Sequence, residues 1–284
     1  MSIISAIVLG VVQGLTEFLP VSSSGHLVLL QKIFGIEEPA LFFDTMLHAG
    51  TLLAVFVVLW RDIWAILRRL IQPLTGFLIL ATIPAVVAAL AFGNLIEHAF
   101  ESGQFLGFSF LATAALLCTA ELLSRRAGAG TGLKRAGDMN WPDALAVGIF
   151  QAIAIIPGLS RSGATISGAL FRKLDRNFAA RFSFLLSIPA ILGAVVLQVK
   201  DLAKSGIAAN GGVATGSINA AVNSAGAGPA ALIAGTLSAA IVGFFAIRLM
   251  LKIIREKSLF GFAVYTAVLG AIILIDQFVT HFVF

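Results

Sequence analysis

The sequence predicts an all-α integral membrane protein made of two inverted-topology repeats, each a re-entrant helical hairpin followed by three transmembrane helices. Three observations predict it. The chain is 59% hydrophobic and 12% charged, with a mean hydropathy of +1.00, far outside the range of soluble domains. Its apolar residues run in long uncharged blocks without period-two alternation, which disfavours a β-barrel. And a polar segment, QGLTEFLPVSSSGH from Gln13 to His26, returns in altered form as QAIAIIPGLSRSGA from Gln151 to Ala164.

The elements follow in order. An apolar stretch, Ile3 to Val12, starts a helix that Pro20, the three serines Ser22, Ser23 and Ser24, and Gly25 must break, with a second helix beginning after Ser24. Spans near 40–60 (interrupted by Asp44 and His48), 74–96 and 104–123 come next, each long enough to cross a bilayer. A basic, glycine-rich linker over 125–138 precedes the second polar hairpin, which Pro157, Gly158, Ser160 and Gly163 break in the same way. Spans near 178–199, 229–247 and 258–276 complete the chain, with Gly206–Gly228 as a flexible external loop. The predicted boundaries are 1–124 for the first repeat, 125–138 for the linker and 139–284 for the second repeat, with one functional domain overall. The N-terminus lacks a positive n-region, and Gln13, Thr16 and Glu17 interrupt its apolar run, so it does not read as a secretory signal peptide. The lone Cys118 falls inside a span and leaves the redox compartment unread.

The net charge of +5 is not a nucleic-acid signal, because the basic residues collect in short connections. These are Arg61/Arg68/Arg69, Arg125/Arg126/Lys134/Arg135, Arg172/Lys173/Arg176/Arg181 and Arg248/Lys252/Arg255/Lys257. The rule that basic loops stay cytoplasmic places them inside, and places the acidic connection Gly93–Gln104, with Glu97 and Glu101, outside. Lys200 and Lys204 are minor exceptions. Three crossings per half is an odd number, so the halves are inverted and both termini lie outside the cytoplasm. Inverted repeats with interrupted helices hold their site where the halves meet.

The repeat also locates the chemistry. At an offset of 138 residues, Ala6/Ala144, Gly10/Gly148, Gln13/Gln151, Ser22/Ser160, Ser24/Ser162 and Gly25/Gly163 are identical. The copies differ where chemistry would differ: Glu17 matches Ile155, Ser23 matches Arg161, and His26 matches Ala164. Helices that begin inside the bilayer leave free N–H groups that attract anions, and such backbone is tolerated only when shielded or lining a wet cavity. Arg161 presents a planar donor fork suited to phosphate; the blander reading is a topology arginine. Glu17 is an intramembrane carboxylate and therefore a functional candidate, with Gln13 one turn earlier on the same face. Together they could hold a divalent ion or position a water, or Gln13 could simply satisfy the carboxylate. His26 suits proton transfer or an interfacial role. Ser22, Ser23 and Ser24 are turn formers, phosphate donors or a nucleophile. Thr165 adds a hydroxyl to the same phosphate or bonds back within its helix. Asp44 and His48 share a helix face, but the adjacent Ala49 and Gly50 suggest close packing, so both read as structural.

At these residues the chain resembles the undecaprenyl-diphosphatase family, also called bacitracin-resistance proteins. That family carries an E/Q-x-x-x-E element, then a serine-rich turn and His, and a P-G-x-S-R-S-x-x-T element. Here they read Gln13 to Glu17, Pro20 to His26 and Pro157 to Thr165, in order, and the resemblance covers essentially the whole chain. It implies a phosphoric anhydride hydrolase of the bacterial cytoplasmic membrane, its site facing the outer side, that dephosphorylates undecaprenyl diphosphate for carrier-lipid recycling in peptidoglycan synthesis. It also implies bacitracin resistance and a divalent cation, Mg²⁺ or alternatively Ca²⁺. Carried onto this chain, it makes Glu17, His26, Ser23 and Arg161 catalytic. Arg161, Ser160, Ser162, Thr165, Ser22 and Ser24 become phosphate-binding, and Glu17 with Gln13 become candidate metal ligands. The partners are the lipid substrate and membrane lipid, with no nucleic acid; monomer and homodimer stay open. The rival function is a carrier-lipid flippase or secondary transporter, since the inverted repeat is a transporter architecture. A type-2 phosphatidic acid phosphatase is disfavoured because no His follows Arg161 until His281.

Overall fold

The computed structural model describes residues 1–36, 41–128, 133–210 and 228–284. Among these residues, eleven α-helices form and strand structure is confined to one isolated bridge between Lys134 and Leu174. The first hairpin is α1 (Ile3–Thr16) and α2 (Ser23–Ile33), followed by α3 (Leu41–Val58), α4 (Trp60–Arg68), α5 (Pro73–Ser102) and α6 (Leu106–Gly128). The second hairpin is α7 (Trp141–Ile153) and α8 (Arg161–Phe171), followed by α9 (Arg176–Asn210), α10 (Pro229–Glu256) and α11 (Phe260–Ile275). Six helices, namely α3, α5, α6, α9, α10 and α11, are long and apolar enough to cross a membrane. The protein is an all-α integral membrane protein.

The six spans appear where hydropathy places them, but three helices run well further, α10 among them, which continues past the predicted end at 247 to Glu256. Helix α5 continues past the apolar window ending at Gly93, bends at Phe92 (φ −121°, ψ 16°) and stops at Ser102. The connection read as Gly93–Gln104 is therefore mostly helix. Helix α9 likewise continues to Asn210, so the first part of the predicted Gly206–Gly228 loop is helical, and 211–227 lies outside the described residues. Hydropathy marks where a helix leaves the bilayer, whereas the backbone ladder continues until a breaker such as Gly103, left-handed at φ 63°, ends it. The linker's residues 129–132 also lie outside the described set. The basic connection after α3 contains the short helix α4, where Trp60 and Trp64 are exposed and Arg68 stacks over Trp64 at 5.0 Å, a composition typical of an interfacial helix.

Inside a membrane, lipid tails are as apolar as leucine, so close backbone packing and hydrogen bonds must hold helices together. Glycines at the hairpins supply that approach. Helix α1 lies on α10, where a methyl group at Gly10 would strike the carbonyl oxygen of Gly235, and one at Gly14 would come within 2.8 Å of the Ala239 oxygen. Helix α7 lies on α5 in the same manner, with Gly148 against the backbone of Ala81. Each hairpin thus packs its first helix on the second span of the other half. Phe18, Phe182 and Phe184 are fully buried around the first hairpin tip, with Phe18 edge-on to Phe184 at 5.3 Å.

Buried carboxylates pin the opposite ends of the helices. Asp143, in the first turn of α7, accepts from Lys134 Nζ at 2.9 Å and Arg172 Nε at 2.8 Å. Glu121 on α6 accepts from Arg125, Arg176 and the backbone N–H of Leu259. Several of the basic residues read from the sequence as topology markers are therefore also structural ties.

The glycine contacts generate a stability prediction. Gly10→Ala forces α1 off α10 and should lower detergent-solubilised stability by ~1–3 kcal/mol. Gly76→Ala, where an added methyl meets nothing within 4 Å, should be neutral or slightly stabilising. Thermal unfolding of the two purified variants beside the parent checks this, and equal melting temperatures for both would contradict the packing argument.

Candidate active site

Both hairpin tips are built by the same devices. In the first, α1 ends at Thr16 and α2 starts at Ser23, with Ser22 as the cap: its Oγ accepts from the Gly25 N–H at 3.2 Å. The helix starts one residue before Ser24, because Ser22 and not Ser24 takes the capping position. Ser22 sits at φ 70°, a conformation costing a non-glycine residue ~1–3 kcal/mol. In the second tip, Gly158 takes the left-handed position (φ 83°), and Ser160 Oγ accepts from the Gly163 N–H at 3.0 Å. The backbone N–H of Ser160 donates to Thr113 Oγ1 of α6.

The tips then interlock. Ser24 Oγ accepts from the Gly158 N–H at 3.4 Å, and Ser162 Oγ donates to the Leu19 carbonyl at 3.0 Å. The serines identical in the two copies therefore do identical work, Ser22 and Ser160 as caps, Ser24 and Ser162 as ties to the other turn. Thr165 bonds back to the Arg161 carbonyl at 2.8 Å and meets Ser183 Oγ at 2.6 Å. In this structure these hydroxyls build the site, and of this group Ser24 alone also lines the cavity.

The residues that differ between the copies meet. Arg161 Nη2 donates to Glu17 Oε1 at 2.5 Å, bridging the two turns. Ser23 Oγ donates to Glu17 Oε2 at 2.6 Å, and Gln13 Nε2 donates to the same oxygen at 3.0 Å. Arg161 Nη1 reaches the Ser183 carbonyl of α9 at 3.4 Å. Glu17, Ser23 and Arg161 line a cavity of about 360 Å³ with Ser24, Asp44, His48 and an apolar wall that includes Leu159, Ala190, Ile191 and Ala194. That volume falls within the range of small-ligand sites. The N–H groups of Ser23 and Ser24 have no protein acceptor among the described residues, so the start of α2 presents free donors beside the carboxylate.

His48 corrects the sequence reading. It lines the cavity with Asp44, and its Nε2 lies 3.4 Å from Glu17 Oε2, while its Nδ1 meets the Asp44 carbonyl at 2.7 Å. Asp44 Oδ1 accepts from Gln31 at 2.7 Å. Close packing at Gly50, against Thr236 of α10, is real, but it occupies another face of α3 than the polar pair. The i, i+4 spacing of an Asp and a His inside a span was the available signal. His26 lies elsewhere: Nδ1 meets the Ser22 carbonyl and Nε2 the Tyr265 hydroxyl, each at 2.6 Å. Its ring is parallel to Tyr265 and edge-on to Phe110. His26 therefore braces the strained Ser22 from behind α2 and is not part of the cavity wall. Tyr265, Ser183 and Thr113 were invisible to motif reading, since nothing in the local sequence marks them.

Gln13 and Glu17 do not fit a metal-ligand pair in this arrangement. Glu17 already meets Arg161 on one oxygen and Gln13, Ser23 and His48 on the other. The Gln13 Oε1 atom is buried without a partner, but so is Oε1 of its repeat counterpart Gln151, where no carboxylate stands. The unpartnered oxygen is thus a feature of the repeat. Among the described residues, no three His, Cys, Asp or Glu side chains gather as a metal site.

Comparison with known proteins shows the family. Residues 6–272 match the family described as bacitracin resistance protein BacA. An undecaprenyl-diphosphatase of Carboxydothermus hydrogenoformans is 42% identical over 98% of this chain and 98% of its own. Undecaprenyl-diphosphatase 4 of Bacillus thuringiensis subsp. konkukian is 42% identical over 99% of this chain and all of its own. A Methanosphaera stadtmanae undecaprenyl-diphosphatase is 38% identical over 97% of this chain. With both motifs converging on one cavity and the match running nearly end to end, the chain belongs to the bacitracin resistance protein family.

Proposed function

We propose that the protein removes the terminal phosphate of undecaprenyl diphosphate, giving undecaprenyl phosphate and inorganic phosphate and recycling the carrier lipid of peptidoglycan synthesis. Consuming the diphosphate that bacitracin sequesters confers resistance to that antibiotic. One observation carries the reading: Ser23 Oγ donates a 2.6 Å hydrogen bond to Glu17, which Arg161 holds from the other hairpin. A hydroxyl, a base and a phosphate-binding guanidinium on one cavity are the parts phosphoryl transfer needs.

In this mechanism Glu17 takes the Ser23 proton as Oγ attacks the terminal phosphorus. The bond to the bridging oxygen breaks, and undecaprenyl phosphate leaves with the electron pair. Water then attacks the phosphoserine, giving a proton to His48, and the bond from phosphorus to Ser23 Oγ breaks as Oγ takes back the proton held on Glu17, releasing phosphate and restoring Ser23. Arg161 and the free N–H groups at the start of α2 stabilise the charge on the transferring phosphoryl group. A divalent cation such as Mg²⁺ would supply charge neutralisation to the diphosphate, and Asp44, which lines the cavity without an Arg161 contact, would be the carboxylate free to hold it. His26 acts from behind α2, holding the Ser22 carbonyl and hence the Ser23 backbone.

Support for residues 1–124 and 139–284 as inverted repeats, joined by 125–138, comes from the reciprocal packing of α1 on α10 and α7 on α5. The cavity is lined by the start of α3 and the middle of α9, in the later part of its apolar window Arg176–Gln198, positions on the side that the positive-inside rule assigns to the outer face of the cytoplasmic membrane. An outward-facing site follows.

Phosphate release from undecaprenyl diphosphate by detergent-purified protein tests the activity directly, since a transporter without a gradient would release none. Arg161→Lys keeps the charge but loses the fork, and should cut kcat/KM by ~10²-fold or more. Glu17→Gln should fall comparably while remaining folded. Ser23→Ala should lose nearly all turnover with substrate binding retained, whereas a modest loss would indicate direct attack by water.

Removal of divalent cations makes a second test. A chelator should stop turnover yet leave the melting temperature of substrate-free protein unchanged, because no protein cage is dismantled. A large destabilisation by chelator alone would point to a resident ion. Orientation is checked by cysteines at Ser2 and Phe284, with Cys118 replaced. Both should react with an impermeant reagent in intact spheroplasts, and protection of both would reverse the topology.

A further inference from the structure

We propose that the apolar wall of the catalytic cavity, formed by α9 at Ala190, Ile191 and Ala194 with Leu159 of the second hairpin turn, is the slot that receives the first isoprene units of the substrate. The inference rests on the diphosphatase reading and adds where the tail runs and which side chains set tail recognition.

The cavity has two unlike sides. Helices α1 to α3 and their turns bring Glu17, Ser23, Ser24, Asp44, Thr45 and His48 to it, together with Leu27 and Leu41. Helix α9 and the second hairpin turn contribute only apolar side chains, Leu159, Ala190, Ile191 and Ala194 among them, apart from Arg161 at the start of α8. Arg161 joins the two, because Nη1 donates to the Ser183 carbonyl of α9. Ser183, Ala190 and Ala194 follow one another at seven and four residues along a continuous helix, so they share a face. At 1.5 Å per residue, that face carries the wall ~10 Å from Ser183 to Ala190 and onward to Ala194. A head group bound at the guanidinium therefore has an apolar track leading directly away from it.

In-line displacement gives the track its occupant. Ser23 Oγ must stand opposite the bridging oxygen, so the tail leaves on the side of the phosphorus away from Ser23 and Glu17. Exposure grows along the track: Ile191 is buried, Ala190 half-buried and Ala194 exposed, with Leu192, Val196 and Leu197 exposed beside it. The slot thus opens toward the apolar outer surface of α9, where a long prenyl chain can pass into lipid without crossing polar surface. Alanine at 190 and 194 leaves room for a chain lying against the helix, and any larger side chain would occupy it.

The test fills the slot and reads head group and tail separately. Ala194→Phe and, more gently, Ala190→Val should raise the KM for farnesyl diphosphate by tenfold or more for Phe and by a smaller factor for Val. The kcat at saturation should fall less than threefold. Inhibition by inorganic phosphate, a head group without a tail, should keep the parental Ki in both variants, which also reports an intact site. Unchanged KM values beside unchanged phosphate inhibition would overturn the slot. A rise in the phosphate Ki matching the rise in KM would overturn it too, by showing general damage. If the parent enzyme releases no phosphate from any prenyl diphosphate, the diphosphatase reading itself fails, an outcome distinct from both.

Discussion

The ion pair between Glu17 and Arg161 is the constraint on which the rest of the structure depends. Its members come from different hairpins and sit at the tips of helices that end inside a chain of mean hydropathy +1.00. The Glu17 side chain is only 4% exposed and that of Arg161 18%. Removing either partner from such a pair leaves an uncompensated buried charge, typically worth ~3–5 kcal/mol of destabilisation. The two tips must therefore arrive together. The glycine contacts of α1 with α10 and of α7 with α5 bring them into the same layer, and the cross-turn bonds of Ser24 and Ser162 set their distance.

The pattern of identity between the two copies acquires a physical meaning in this frame. A hairpin tip of this kind needs a cap for its second helix, a tie to its neighbour and a small residue where backbones touch. Ser22 and Ser160, Ser24 and Ser162, and Gly10 and Gly148 meet those needs in both copies and are identical. A site for an anionic ester needs unlike groups: a base and a hydroxyl on one side, a cation on the other. In the proposed reaction Glu17 and Ser23 supply the first, Arg161 the second, and their counterparts Ile155, Arg161 and Ser23 differ accordingly. What remained identical is scaffold, Ser24 alone also touching the cavity, and of the residues that diverged Glu17, Ser23 and Arg161 face the cavity while His26 turns to Tyr265.

Much of the fold was legible because lipid demands long uncharged runs, and all six spans appear near their predicted positions. The shared site of the two hairpins was legible from the repeat, but the ion pair of Glu17 with Arg161 was not read: the guanidinium was given to phosphate and the carboxylate to a metal or a proton, and without substrate the two opposite charges take each other as partners. The limits were equally physical. Helices α5 and α9 outrun their apolar windows because backbone hydrogen bonding does not stop at the membrane surface. His48 reads as a packing residue from its neighbours Ala49 and Gly50, yet a helix presents several faces, and the polar face at Asp44 and His48 turns to Glu17 while Gly50 meets Thr236. His26 sits in the motif beside the serines, but one turn of helix carries it from the cavity to Tyr265 on α11. A motif records which residues are near in sequence, and rotation about a helix decides which of them share a cavity.

The ion pair also bears on the proposed reaction itself. Without substrate, Arg161 neutralises Glu17, so neither stands in the cavity as an isolated charge. An entering phosphate offers the guanidinium more oxygens than one carboxylate does, in a geometry matched to its fork. As Arg161 turns to that phosphate, Glu17 retains Gln13 and Ser23 as donors, and a carboxylate relieved of a cation is in general the better proton acceptor. In the proposed reaction the substrate thereby completes the base that activates its own attacker. The empty site, in contrast, keeps its base occupied, which ties deprotonation of Ser23 to the presence of a phosphate that can be attacked.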